Sequence, residues 1–106
     1  MFARSVTIRL KPNSVGEFNR TLEKEVLPLL QKQKGFRDEI SLVSSNGSAV
    51  LGISLWDQKL DADAYYRTTY SDVQMLLAKV SEGTPHQVQT YEVGTSTIHK
   101  VAARGA

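Results

Sequence analysis

The sequence predicts an α+β domain with the element order β-α-β-β-α-β. Three observations carry that prediction. Residues 2–10 alternate between apolar and polar with a period of two. Val15, Phe18, Leu22, Val26, Leu29 and Leu30 recur at helical spacings of three and four. Asn46-Gly47 separates two strand-like runs, the strongest short-range hairpin signal.

In the first strand Val6, Ile8 and Leu10 face one side, and Ser5, Thr7 and Arg9 the other. Pro12-Asn13 ends it. Ser14-Val15-Gly16-Glu17 matches a capping box, with Ser14 as N-cap and Glu17 reaching back. An amphipathic helix of about five turns then runs to Lys34. Pro28 lies inside it and removes one backbone donor, which predicts a kink. Gly35 is the expected stop.

Residues 36–45 and 48–56 read as the second and third strands. Ala49, Leu51, Ile53 and Leu55 form one face of the third strand; Val50, Gly52, Ser54 and Trp56 form the other. Neither face is charged, which predicts cover on both sides. Residues 59–82 form a second helical region. Thr68-Thr69 interrupts it, and Ser71-Asp72-Val73-Gln74 matches a second capping box. The reading is a short helix, a break, and a longer helix carrying Val73, Leu76, Leu77 and Val80. Gly83-Thr84-Pro85 ends it. Residues 86–102 are strand-like, with a break or bulge expected at Gly94. Residues 1–102 form one domain, and 103–106 a frayed end. This order is the ferredoxin-like split βαβ pattern, an antiparallel sheet with helices on one face. The open side then needs cover, most simply from a second copy around a two-fold axis.

Composition narrows the chemistry. The 106 residues contain no cysteine, which excludes disulfides, thiolate metal sites and a cysteine nucleophile. Thirteen Lys and Arg against eleven Asp and Glu leave a charge of only +2, spread along the chain. No basic patch interleaves with aromatic residues, so a nucleic-acid partner is not expected. No apolar run is long enough to span a bilayer, so no membrane partner is expected either. No basic segment followed by an apolar run opens the chain, and the expected location is the cytoplasm. His86 and His99, the two histidines, lie thirteen residues apart. On one regular strand they would point to opposite faces, so no metal site is expected.

The Gly35-Phe36 opening of strand two, the Asn46-Gly47 hairpin, Ser54-Leu55-Trp56-Asp57 and the aromatics that follow coincide in order and spacing. Together they resemble the antibiotic biosynthesis monooxygenase-like (ABM) domains of the dimeric α+β barrel superfamily, over about residues 1–100. The resemblance implies a homodimer that packs two open sheet faces into a barrel. It also implies one pocket per protomer between helices and sheet, for a small apolar, aromatic or polyketide-like ligand. It implies a monooxygenase that needs no cofactor. Trp56 matches the strand-three tryptophan that shapes this pocket in enzymatic members. Tyr65, Tyr66 and Tyr70 follow on the next helix, and a phenol there can donate a hydrogen bond to a bound quinol or oxyanion. The reading takes Tyr66 and His86 as catalytic, with His86 as the proton acceptor. Trp56, Tyr65 and Tyr70 are taken as substrate-binding.

Two departures matter. Haem-degrading members use an asparagine on strand one and a histidine on the second helix, and this chain has neither. Quinone-forming members place an asparagine four residues before the tryptophan; here that position is Gly52. The alternative reading is therefore a dimeric small-ligand-binding protein without turnover. Arg4, Arg9, Arg37 and Arg67 are read as solvated surface, and Asp61 and Asp63 as a charged helix start. Glu39 and Glu92 carry no assigned role.

Overall fold

Four strands form one antiparallel sheet in the order β2-β3-β1-β4. The computed structural model describes residues 1–83 and 86–101. Thr84 and Pro85 of the expected helix stop, and the expected frayed end, lie outside the described residues. The elements are β1 (Phe2–Arg9), α1 (Val15–Thr21), a π-helical turn (Leu22–Val26), α2 (Leu27–Gln31), β2 (Phe36–Val43), β3 (Ala49–Trp56), α3 (Lys59–Thr68), α4 (Tyr70–Leu77) and β4 (Gln87–Glu92). This is the α+β, ferredoxin-like arrangement read from the sequence. Among the described residues no helix is long and apolar enough to cross a membrane.

The first helical stretch is continuous, but its geometry changes midway. Pro28 cannot donate to the carbonyl four residues back, and its ring crowds that carbonyl. The chain resolves the conflict one turn earlier. The Leu27 N–H reaches the Leu22 carbonyl, five residues back, and closes a π turn. The expected kink at Pro28 is thus a local widening just before it. The capping box does not form. The Ser14 hydroxyl donates to the Pro12 carbonyl at 3.3 Å, and no side chain caps the first N–H groups. The helix ends at Gln31 with Lys32 as C-cap, short of the expected Lys34, so Gly35 is not its stop; Gly35 takes φ +78° in the turn into β2, and its carbonyl accepts the Asp57 N–H at 2.8 Å. A Cβ there would sit 2.0 Å from Asp61 Oδ2, so only glycine lets the start of α3 come this close.

The second helical region breaks at Thr69, where φ is −126°, and α4 starts at Tyr70. Thr69 rather than Ser71 is therefore the N-cap, and the second capping box is also absent. The Thr68 hydroxyl bonds back to the Ala64 carbonyl at 2.7 Å, a competitor that weakens helical continuation. The first piece is the longer one, with ten residues in α3 against eight in α4, the reverse of the expected order. Val80 lies beyond α4 yet is fully buried. The last strand is shorter than expected. β4 ends at Glu92, and residues 93–101 add no strand. The Asn46-Gly47 hairpin forms, with Gly47 at φ +72° and the Asn46 carboxamide oxygen accepting from Ser44 and Ser48.

Register decides what faces the helices. Arg4 pairs with Ser54, and Val6 with Gly52. On the other side of β3, Glu39 pairs with Ser54 and Ser41 with Gly52. One sheet face therefore carries Phe2, Arg4, Val6 and Ile8, then Val50, Gly52, Ser54 and Trp56, then Glu39 and Ser41. The helices pack on this face around Phe18, Val26, Leu30, Ala62, Tyr65, Val73 and Leu77. The opposite face carries Ile40 and Leu42 on β2, Leu51 and Ile53 on β3, and Tyr91 on β4. Ile40, Leu42 and Tyr91 are 40%, 52% and 51% exposed. The expected cover on both sides of β3 is thus present on one side in the single chain.

Candidate functional site

The site begins with an aromatic row on the helical side. Trp56 ends β3 and is 0% exposed. Its Nε1 donates to Ser54 Oγ at 2.9 Å. Phe36 meets it edge-on at 5.5 Å between centroids, and Tyr65 lies against it at 5.2 Å. Tyr65 then meets Tyr70 at 6.2 Å, and Tyr66 lies against Tyr70 at 5.4 Å. The row ends at His86. The Tyr70 hydroxyl and His86 Nδ1 are 3.0 Å apart. Burial holds the His86 pKa below its ordinary value, so the ring is neutral at pH 7; in the tautomer with its proton on Nε2, Nδ1 accepts from the phenol.

The five residues singled out from the sequence are therefore neighbours, but they occupy different positions. A cavity of about 60 Å³ lies between the helices and the sheet. Tyr65 and Tyr70 line it; Trp56, Tyr66 and His86 do not. Trp56 backs Tyr65 from the core. Tyr66 is 51% exposed and lies on the outer side of Tyr70. His86 reaches the cavity only through the Tyr70 hydroxyl. Burial raises the pKa of both lining tyrosines, and the charge of Arg4 opposes the rise in each. His99, the other histidine, pairs with Asp38 and lies outside this row. Among the described residues no three His, Asp or Glu side chains are grouped to hold a metal ion.

Arg4 corrects the sequence reading most sharply. It is 3% exposed rather than solvated. Its guanidinium carbon lies 4.4 Å from the Tyr70 ring centroid, 4.5 Å from Tyr66 and 5.9 Å from Tyr65. The rings contribute cation–π attraction, but a ring face is not an acceptor for an in-plane N–H. Nη2 of Arg4 is buried and has no hydrogen-bond partner. Glu39 also lines the cavity, and Ser41 Oγ donates to its Oε2 at 2.8 Å. Burial raises the Glu39 pKa, while the Ser41 hydrogen bond opposes the rise. A side chain on Gly52 would begin 3.6 Å from that same Oε2. The Glu39 carboxylate therefore borders the space above Gly52. Strand parity could have found Arg4, because it shares the face of buried Val6 and Ile8. The apolar pattern of β2 points the other way, since Ile40 and Leu42 take the open face and turn Glu39 and Ser41 inward.

No family model matches this sequence, and no curated protein matches it at a significant level. Solved structures do match. The NE2512 protein of unknown function from Nitrosomonas europaea superimposes with a TM-score of 0.72 at 17% identity, over 96% of this chain and 94% of that one. A candidate antibiotic biosynthesis monooxygenase from Bordetella bronchiseptica gives 0.74 at 13% identity, over 89% and 97%. A monooxygenase from the gene ActVA-Orf6 of Streptomyces coelicolor, in complex with the ligand nanaomycin D, gives 0.73 at 14% identity, over 93% and 92%. Identities this low speak for the backbone and leave chemistry to the side chains. In each of these comparisons the likeness extends over about nine-tenths or more of both chains. On that footing, the chain has the fold of the antibiotic biosynthesis monooxygenase-like domains.

Proposed function

We propose that this protein is a cofactor-independent monooxygenase acting on a small aromatic or polyketide-like molecule held in the cavity. The carrying observation is the Tyr70–His86 pair. It leads from the cavity wall to a neutral imidazole able to take a proton. The structural likeness to the nanaomycin-bound Streptomyces monooxygenase supports a small-molecule ligand in this fold.

The reaction needs no electrons from outside. The keto form of a phenol or anthrone carries an acidic methylene. Loss of its proton leaves a carbanion, which transfers electrons to O₂ and forms a carbon–oxygen bond. The peroxide anion so formed recovers the proton from His86, and the resulting hydroperoxide loses water and leaves a carbonyl. One oxygen atom ends in the quinone and the other in water, and the substrate is the reductant. Arg4 stabilises the enolate oxygen. His86 takes the proton through Tyr70. Tyr70 replaces Tyr66 in this role because it lies on the wall. Trp56 acts from behind by fixing Tyr65.

The test is quinone absorbance under air, with anthrone and single-ring phenols as substrates. Turnover that falls about a hundredfold in Tyr70→Phe and His86→Ala is the expected result. No turnover across the panel, with ligands still bound, overturns the enzyme reading. It would favour binding without chemistry, which Gly52 supports because that position offers no amide to O₂ or substrate.

We also propose a homodimer through the open sheet face. Ile40, Leu42, Leu51, Ile53 and Tyr91 form an apolar surface on one side of the sheet, the kind that marks a protein–protein contact. The cytoplasm is its proposed location.

A further inference from the structure

The open sheet face is charged at one corner, and a β-bulge makes that corner. Phe36 pairs with Trp56, and Asp38 with the next residue, Leu55. Arg37 is therefore an extra residue, and it reverses the side-chain parity of β2. Phe36 points to the helices, with its ring against Trp56. Asp38, two residues on, joins Leu55 on the opposite face, ahead of Ile40 and Leu42. Among the described strand positions of that face, Asp38 and Arg9 carry the charges. Arg9 pairs with Ala49, six residues along β3 from Leu55 and so roughly 20 Å away. At that distance salt screens it from Asp38.

Compensation comes from the segment after β4. β4 lies at one edge of the sheet and β2 at the other. The Val93 N–H donates to the Met1 carbonyl at 2.9 Å and starts the chain across the ends of β1 and β3. Three strand spacings are roughly 14 Å, and a run as long as Glu92 to His99 reaches up to roughly 24 Å. The Ser96 hydroxyl accepts the Ile98 and His99 N–H groups, each at 3.0 Å, and turns the chain. His99 Nε2 then donates to the Asp38 carboxylate. Met1, Arg37, Asp57 and Lys100 share a surface hollow with His99, and Arg37 is itself bound to Asp57. Residues 93–101 thus form a strap across one end of the sheet, pinned at the far edge by the His99–Asp38 pair. Ile98, beside His99, is 73% exposed in the single chain.

A carboxylate at the rim of an apolar contact costs free energy when a partner removes its water. An imidazole answers both needs of such a group. Its N–H donates to the carboxylate, and its protonated form balances the charge. We infer that residues 93–101 are a latch that fits the open face to a second copy, with His99 compensating Asp38 so that this corner can be covered. The compensation is made within one chain, so the partner brings no charge to the corner. A second copy, whose own face is apolar around Ile40, Leu42 and Ile53, meets that condition. The inference rests on the dimer proposed above, and not on the cavity or on turnover.

Sedimentation equilibrium at pH 6 tests it with the wild-type chain, His99→Ala, Asp38→Asn and the double variant. His99→Ala leaves the Asp38 carboxylate without its partner, and the dimer dissociation constant rises about tenfold. Asp38→Asn in the same chain removes the charge that needed compensation and restores most of the affinity. Asp38→Asn alone changes the constant by less than about threefold. The strap adds no strand and both residues lie outside the hydrophobic core, so the variants fold, which circular dichroism checks. The rescue separates charge compensation from packing, because packing lost with the imidazole does not return with Asp38→Asn. A His99→Ala dimer as tight as the wild type overturns the inference. So does a loosened His99→Ala dimer that Asp38→Asn fails to rescue. In either case the wild-type dimer stands and only the latch falls. A wild-type chain that stays monomeric at every concentration sinks the dimer reading, and the latch with it.

Discussion

Replacing Arg4 with methionine should stabilise the protein while lowering the proposed turnover. Arg4 is 3% exposed and Nη2 has no partner, so the folded state carries an incompletely compensated buried cation. The effective penalty for burying such an ion is several kcal/mol. Against it stand two close ring contacts, at 4.4 and 4.5 Å, each worth about 1–2 kcal/mol when desolvated. Methionine has a similar stem length, fills the same space and leaves no polar atom behind. The expected net gain is about 1–3 kcal/mol. At about 4–8 °C per kcal/mol for a domain near this size, the melting temperature rises measurably. Differential scanning calorimetry of Arg4→Met beside wild type, without ligand and at pH 7, reads the effect directly. The same sample then forms quinone more slowly than wild type, because Arg4 no longer stabilises the enolate oxygen. A fall in melting temperature of more than a few degrees refutes the reasoning. It would mean that the cation holds the tyrosine rings in place, instead of being held by them for a ligand. Stability given up at a site that needs an unsatisfied group is a common trade in functional pockets.

The other predictions concern the supports of that site. Trp56→Ala costs about 3–5 kcal/mol by chemical denaturation, because it empties a fully buried position between Phe36 and Tyr65. Gly35→Ala costs about 1–2 kcal/mol from its positive φ alone. Adding Asp61→Ala recovers only the part due to the clash, a non-additivity that a double-mutant cycle measures. Leu42→Lys converts a sedimenting dimer to a monomer without unfolding it, since the residue is 52% exposed in the single chain; an unchanged sedimentation coefficient places the contact elsewhere. Glu39→Gln raises the melting temperature at pH 7, and the gain disappears on acidification. The sign follows from linkage: burial raises the folded pKa above the ordinary value near 4.5, so the folded state keeps its proton longer. Glu39's contribution is complete below that ordinary value and is lost as pH rises through the folded one. A gain that persists at pH 3 contradicts it.

How much of this was legible in the chain depends on which force decided each residue. Alternation placed β1, and helical spacing placed the first helix, because burial of one face is the dominant local signal. The Asn46-Gly47 turn was legible because positive φ restricts residue choice; Gly35 takes positive φ too, but the helix ends four residues before it. The capping boxes at Ser14 and Ser71 misled, because the pattern records only that a bond is available. The Ser14 hydroxyl found the Pro12 carbonyl instead, and Thr69 had already set the break. Aromatic clustering brought Trp56, Tyr65, Tyr66, Tyr70 and His86 to one place, yet sequence spacing could not say which of them reach the cavity. The charged half of the site was hidden for a different reason. Composition treats arginine and glutamate as surface residues by default, and β2 offers Ile40 and Leu42 as its apparent core set. Register overrules both. With Ser54 opposite Arg4 and Glu39 alike, an exposed apolar face and a buried charged one arise from a single choice of pairing. The same register therefore accounts for two features at once: the exposed Ile40 and Leu42 on the open face, and Arg4 and Glu39 beside the cavity.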